Sequence, residues 1–517
     1  MRVLSAAEAV ALIRPGQTVI VSGNGETLNP ELLLTALEER FLTTGEPRGL
    51  DLVYNVIPGS QRSGTGTDHL AHAGLLRRVY AGTYYTLAVG KLNDLVIAGE
   101  VEACLMPFGA LYNSVRCAAA AQPGFLTAVG VGTFVDPRQG GARLNSVTKH
   151  DPAEVMEVDG REYLFYRALP IEVALIRATS ADEDGNLSTE KDPSTLGLLN
   201  QAMAARNRGG TVIAQVERVV PRGSLHPKRV TVPGVFVEAV VLAPDQMEGM
   251  PYQPSWTGDE RVPLDSLPPV PFDHRKVIQR RAATELRPGE LVNFGFGIGA
   301  SVPRVAAEEG LAERVFFNTE HGGIGGVPND KFAFGAGVNP MAIMDSPSIF
   351  DFYDAGRLDM TCLGIAEVAA DGSVNVSHLG GRINLGGFMD IVHATPRLVF
   401  CGTFTSGGLE VAIEAGRVRV VREGSRLKFL NRLEQVTFSG PAGLREGQKV
   451  LYVTERAVFE LRPEGLTLIE IAPGADLERD VLARMEYRPA IAEPLREMEA
   501  ALFRPEPVGL GRRPPFS

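Results

Sequence analysis

The sequence predicts two related open α/β domains in one chain. Apolar runs of strand length alternate with helix-forming stretches along most of it. One motif near the start returns near the middle. The 517 residues also exceed an ordinary single core, because cores stop growing near ~250–300 residues.

The repeated motif sets the plan. Residues 7–25, AEAVALIRPGQTVIVSGNG, read as a helix, an Arg-Pro-Gly turn, an apolar strand and a Gly-x-Gly. Residues 280–297, RRAATELRPGELVNFGFG, read the same way. A helical segment follows each. The first runs from Pro30 to Arg40, with Asn29 as N-cap and Pro30 at the first helical position. The second spans Val302 to Glu309. Between the halves, residues 244–271 hold seven prolines and little periodicity. This gives an N-terminal domain over 1–245, a linker over 246–271 and a C-terminal domain over 272–517, with the break near residue 260.

Within the halves, 172–182, 358–368 and 397–404 read as buried strands bounded by turns such as Asp184-Gly185-Asn186 and Asp371-Gly372. Leu198 to Arg206 reads as a helix. Residues 412–470 alternate like antiparallel strands, including VRVVRE and VLYVTERAVFEL.

Composition excludes several classes. The net charge is −11, with 62 acidic and 51 basic residues and no long basic block, so no nucleic-acid partner is expected. Four cysteines, Cys104, Cys117, Cys362 and Cys401, form no C-x-x-C pair, which argues against a disulfide scaffold or a zinc knuckle. The N-terminal apolar stretch carries Glu8 and meets Arg14-Pro15, too short and interrupted for a signal peptide. No segment has about 18 uncharged apolar residues in a row, so no membrane partner is expected and a cytoplasmic location fits.

The chemistry concentrates at RVFFNTEHGGIGGVP, residues 314–328. A strand, Val315-Phe316-Phe317, runs out into Asn318-Thr319-Glu320, and four glycines follow within Gly322 to Gly326. Ligands gather at the carboxyl ends of strands in open α/β sheets. Glycines there let backbone N–H groups approach anionic atoms. From spacing alone, Glu320 reads equally as a solvated loop carboxylate. A second glycine turn, Gly295-Phe296-Gly297-Ile298-Gly299, follows the strand Leu291 to Phe294; it reads as a phosphate cradle or as a tight strand-to-helix turn. His69 and His72 have i, i+3 spacing with no credible third ligand, so no metal is expected there. Arg382 and Lys331 are basic candidates for cofactor phosphates.

Longer segments carry a resemblance. They include GVGTFVDPRQGGARLN (130–145), ADEDGNLSTEK (181–191), GGTVIAQVERVVPRGSLHP (209–227), TEHGGIGGVP (319–328), FDFYDAGRLD (350–359) and LVFCGTFTSGGLEVAIEAG (398–416). Nearly end to end, the chain resembles the family I CoA-transferases, in the fused single-chain branch of propionate and 3-oxoacid CoA-transferases. The resemblance implies that Glu320 is the nucleophile. It attacks an acyl-CoA, forms a mixed anhydride and then a glutamyl-CoA thioester, and hands CoA to an incoming carboxylic acid with ping-pong kinetics. Coenzyme A is then a substrate, and the scheme needs no ATP or metal. It also implies that Gly295, Gly297, Gly299 and Gly322 lie against CoA and the nucleophile. Gly386-Gly387 match a second pair lining the CoA site, or make another turn. The N-terminal domain takes the carboxylate and acyl side, and the chain assembles as a homodimer or homotetramer.

The chain departs from the pattern in places that bear on substrate. His321 stands where relatives carry a small residue; a solvent-facing loop imidazole is favoured over a substrate contact or proton handler. Phe108, in Met106-Pro107-Phe108-Gly109, replaces a Gln that helps bind the acyl oxygen. It either widens apolar contact toward a larger acyl group or packs in the core. Asn24 and Glu26, in the polar run VSGNGETLNPE, could face the substrate pocket. A thioester hydrolase on the same fold, and a non-catalytic CoA-binding protein, are the competing readings.

Overall fold

The computed structural model describes residues 1–59, 63–86, 88–247, 249–330 and 333–512. The chain forms two compact units. The first comprises Met1–Asp259, Ile343–Asp354 and Gly380–Asp390; the second comprises Glu260–Ala342, Ala355–Leu379 and Ile391–Ser517. The expected linker is therefore shared between them: its start belongs to the first unit and its end to the second.

The first unit is built on a parallel sheet. Its strands are β1 (Arg2–Leu4), β2 (Thr18–Val21), β3 (Leu50–Tyr54), β4 (Leu76–Ala81), β5 (Glu102–Leu105), β6 (Val173–Asp182), β7 (Thr211–Val220) and β8 (Ala239–Leu242). Their order is β1-β8-β7-β6-β2-β3-β4-β5, parallel throughout. Every residue of β6 is buried. That is the mark of a strand covered on both faces, and it explains the near-continuous apolar run. Helices α1 (Glu31–Thr44), α2 (Phe108–Ala119) and α3 (Leu198–Asn207) supply crossover cover.

Helix α1 starts one residue later than expected. Pro30 takes the cap position, and the Asn29 amide donates to Glu31 Oε2 at 2.7 Å instead of its oxygen accepting from the first backbone N–H groups of the helix. The helix ends at Gly45, whose φ of 75° stops it in the left-handed region. Residues His69 and His72 lie on and just beyond a short 3₁₀ turn, Gly66–Leu70, and not on an α-helix. Both face carboxylates of α1. His69 meets Glu38 Oε2 at 2.5 Å and Glu31 Oε1 at 2.9 Å, and His72 meets Glu38 Oε1 at 2.6 Å. Burial opposes charge on His69, yet hydrogen bonds to Glu31 and Glu38 outweigh it and raise the imidazole above its usual range. These pairs fasten the 66–72 segment to α1.

The second unit repeats the layout with a mixed sheet. Its strands are β9 (Leu291–Phe294), β10 (Phe316–Asn318), β11 (Gly323–Ile324), β12 (Met360–Gly364), β13 (Arg397–Cys401), β14 (Lys449–Val453), β15 (Ala457–Arg462), β16 (Gly465–Ile471) and β17 (Ala490–Glu497). They run in the order β11-β10-β9-β12-β13-β14-β15-β16-β17. The block β10-β9-β12-β13-β14 is parallel. The pairs β14-β15 and β15-β16 are antiparallel. The alternation expected over 412–470 is seen here and in a separate hairpin pairing Glu410–Glu414 with Arg417–Arg422.

Helix α4 (His274–Ala283) packs Val277 and Ile278 into a core with Val292, Phe294, Phe317 and Met360. Phe294 meets Phe317 edge-on at 5.3 Å. Each such fully buried side chain contributes roughly 1.5–3 kcal/mol, so this cluster fixes how β9 and β10 lie together. Helix α5 (Val302–Glu308) follows β9 through a 3₁₀ turn. Among the described residues, no helix is long and apolar enough to cross a membrane.

Candidate active site

Adjacent parallel strands bring the two glycine-rich segments of the second unit together. Leu291, Val292 and Asn293 of β9 pair with Phe316, Phe317 and Asn318 of β10. Both strands end at the same edge. The turn Gly295–Gly299 leaves β9 there, and Thr319-Glu320 leaves β10 beside it.

Glu320 stands at the second position of a tight turn. The Gly322 N–H donates to the Thr319 carbonyl at 3.0 Å, and the Thr319 N–H donates to the Gly323 carbonyl at 3.1 Å. The Asn318 amide adds a bond to the Gly323 carbonyl at 2.9 Å. The chain then returns as β11, antiparallel to β10. Gly322, with φ of 108°, takes a conformation that a side chain would strain. The result is a short hairpin with a half-buried carboxylate at its tip.

The three glycines after β9 have different tasks. A Cβ on Gly295 would stand 2.4 Å from Leu363 Cδ2, and one on Gly299 would stand 2.9 Å from the Cys362 carbonyl. Both therefore permit close packing of the turn on β12. Gly297 has φ of 104° and open space where a side chain would project. Phe296, between them, is 66% exposed and meets Phe334 edge-on at 5.6 Å.

His321 corrects the sequence expectation. The imidazole is not solvent-facing but only 2% exposed. Its space exists because Gly335 has no side chain: a Cβ there would come within 2.3 Å of His321 Nδ1. Phe334 lies edge-on to the ring at 5.8 Å. Burial lowers the imidazole to about 4, so it is uncharged near neutral pH.

The other candidates lie in the first unit. Asn24 and Glu26 follow β2 in a turn where Asn24 and Thr27 exchange backbone bonds of 2.9 Å. The Glu26 carboxyl lies beside Gly249, where a Cβ would come within 2.5 Å of it. Phe108 opens α2 after β5, is 2% exposed, and meets Phe350 edge-on at 6.1 Å. Gly82 makes room for its ring, since a Cβ there would approach to 2.4 Å. Phe108 therefore takes part in core packing.

Gly386 donates its N–H to the Gly82 carbonyl at 2.9 Å, and Phe108 Cε2 lies 4.0 Å from where its Cβ would be. Gly387 is buried just before the helix Phe388–His393. So Phe108, Gly82 and Gly386 cluster together, while β3 and β4 separate β2, which the turn with Asn24 and Glu26 follows, from β5. The Arg382 guanidinium sits 5.1 Å over the Tyr85 ring. Lys331 lies outside the described residues.

One residue was missed by sequence reasoning. Arg177, on β6, donates through Nη1 to the Glu26 carbonyl at 2.9 Å and through Nη2 to Asp192 Oδ1 at 2.5 Å. A lone arginine inside the apolar run EVALIRATSAD was the available signal.

Known proteins share this fold. The coenzyme A transferase family profile matches residues 3–243. A caffeate CoA-transferase of Acetobacterium woodii is 41% identical over 511 residues, covering 97% of each chain. The apoenzyme crystal structure of an acyl-CoA transferase of Escherichia coli O157:H7 superposes with a TM-score of 0.93 at 40% identity, covering 98% of this chain and 97% of that one. A second structure of that enzyme, a thioester complex with CoA, superposes with the same TM-score of 0.93 at 39% identity, with the same coverage of 98% and 97%. The chain belongs to the family I coenzyme A transferases, in their fused single-chain form, and is an enzyme that transfers CoA between acyl-CoA and carboxylic acids.

Proposed function

We propose that transfer runs by ping-pong catalysis through a glutamyl-CoA thioester on Glu320. The observation that carries this is the hairpin tip itself: a half-buried carboxylate at the carboxyl end of β10, beside the glycine turn that leaves β9. A Glu320 carboxylate oxygen attacks the thioester carbonyl, and the C–S bond breaks to release CoA thiolate. The thiolate attacks the Glu320 carbonyl of the resulting anhydride, and the original acyl group leaves as its carboxylate. An incoming carboxylate then attacks the glutamyl thioester, and the same two steps run in reverse. Each tetrahedral stage develops an oxyanion that nearby backbone N–H groups stabilise. Gly297 leaves open space beside it, Gly295 and Gly299 let the turn that carries Gly297 pack on β12, and Gly322 supplies the φ of 108° that the Glu320 turn requires. Support also comes from the relative of known structure whose complex with CoA is described as a thioester.

The caffeate-acting relative supports including aryl acids as acceptors beside short-chain acids. A homodimer or homotetramer in the cytoplasm belongs to the same reading. Initial rates test the kinetic scheme. Varying acyl-CoA at several fixed acid concentrations is expected to give parallel double-reciprocal lines. Intersecting lines would mean that both substrates bind before any product leaves.

A further inference from the structure

The residue after Glu320 is built into the protein in a way that a loop residue need not be. His321 is 2% exposed although it occupies the third position of a surface-edge turn. Gly335, with φ of 99°, presents bare backbone to the ring, and any Cβ there would overlap it. Phe334 closes over the ring at 5.8 Å with planes 87° apart, an attractive edge-to-face geometry. Phe296 backs Phe334 in turn, at 5.6 Å and 90°. The residue on the other side of Glu320 is tied to the same segment: Thr319 Oγ1 donates to the Gly335 carbonyl at 3.2 Å. Both neighbours of Glu320 are thus clamped to residues 334–335.

We propose that His321 is a positioning residue for Glu320, whose ring, wedged between Phe334 and the Gly335 backbone, stiffens the turn and carries no proton in turnover. The inference rests on Glu320 being the nucleophile. The chemistry explains the need. Glu320 must serve as attacking carboxylate, as anhydride and as thioester, and its carboxyl carbon must stay within bonding reach in all three states. A misplacement of about 1 Å at such a centre costs on the order of 10²-fold in rate. Burial also keeps the imidazole uncharged near neutrality. An imidazolium next to Glu320 would pair with its carboxylate and blunt the nucleophile.

The test compares His321→Phe with His321→Ala in the full-length enzyme. His321→Phe keeps a ring in the notch and removes both nitrogens. It is expected to retain kcat within about threefold, with the wild-type pH–rate profile. His321→Ala empties the notch and is expected to lose on the order of 10²-fold in kcat, with KM for acyl-CoA little changed. Should His321→Ala fail to fold, His321→Leu gives the same comparison with a smaller loss. The proposal is overturned if His321→Phe is as damaged as the Ala or Leu variant. It is equally overturned if a limb of the pH profile disappears with the imidazole, or if added imidazole rescues His321→Ala. Mass spectrometry of wild-type enzyme with acyl-CoA separates this failure from failure of the nucleophile itself. A CoA adduct on Glu320 leaves the underlying reading intact whatever the His321 variants do.

Discussion

Glu320→Gln is expected to lower CoA transfer by at least about 10⁴-fold, as loss of a covalent nucleophile does elsewhere. The amide has nearly the same shape, and its neighbours hold the turn through backbone atoms, Gly322 to Thr319 and Thr319 to Gly323. The variant should therefore fold and still bind acyl-CoA, with the loss in kcat and not in affinity. Steady-state transfer rates and a thermal unfolding curve, taken on the same sample, check both halves. A variant that keeps more than about a tenth of wild-type kcat would remove Glu320 from the covalent role.

The second large effect concerns stability. Arg177 and Asp192 form an ion pair whose side chains are 2% and 0% exposed. Thr179 Oγ1 donates to the other Asp192 oxygen at 3.1 Å. Arg177→Met leaves Asp192 as a buried, uncompensated charge, and breaking such a pair costs about 3–5 kcal/mol. Denaturant unfolding should show that loss. Adding Asp192→Asn removes the stranded charge, so the double variant should be less destabilised than the sum of the singles by about 1–3 kcal/mol. Simple additivity would mean that the pair does not hold the fold. The Glu26 carbonyl also loses its guanidinium donor in Arg177→Met, which loosens the turn carrying Asn24 and Glu26.

These two sites differ in how far the sequence reveals them. The hairpin that carries Glu320 was legible because its determinants are local, whereas the role of the residue came from the family resemblance and not from spacing. An apolar run ends, polar residues follow, and glycines force the chain back. The strand proved to be Phe316–Asn318, shifted by one residue from the expected Val315–Phe317, since pairing with β9 and not hydrophobicity sets its bounds. The echo of 7–25 in 280–297 likewise yields β2 and β9, each followed by a helix, α1 and α5.

What failed depends on contacts distant in sequence. His321 reads as an ordinary loop imidazole until Gly335 and Phe334 are folded against it. Phe108 is undecided from sequence because the space for its ring comes from Gly82 and its partner is Phe350. Arg177 stands out in an apolar strand, yet nothing local names Asp192 as its partner. The grouping of 343–354 and 380–390 with the first unit has no counterpart in the linear pattern.

The central claim is the covalent intermediate, and intact-mass spectrometry addresses it most directly. Enzyme mixed with a panel of short-chain and aryl acyl-CoAs, without acceptor acid, should gain the mass of CoA less water, mapped by proteolysis to Glu320. Glu320→Gln should gain nothing. An adduct that persists in Glu320→Gln, or steady release of CoA from wild-type enzyme with no adduct at any time, would contradict a glutamyl-CoA thioester at this residue.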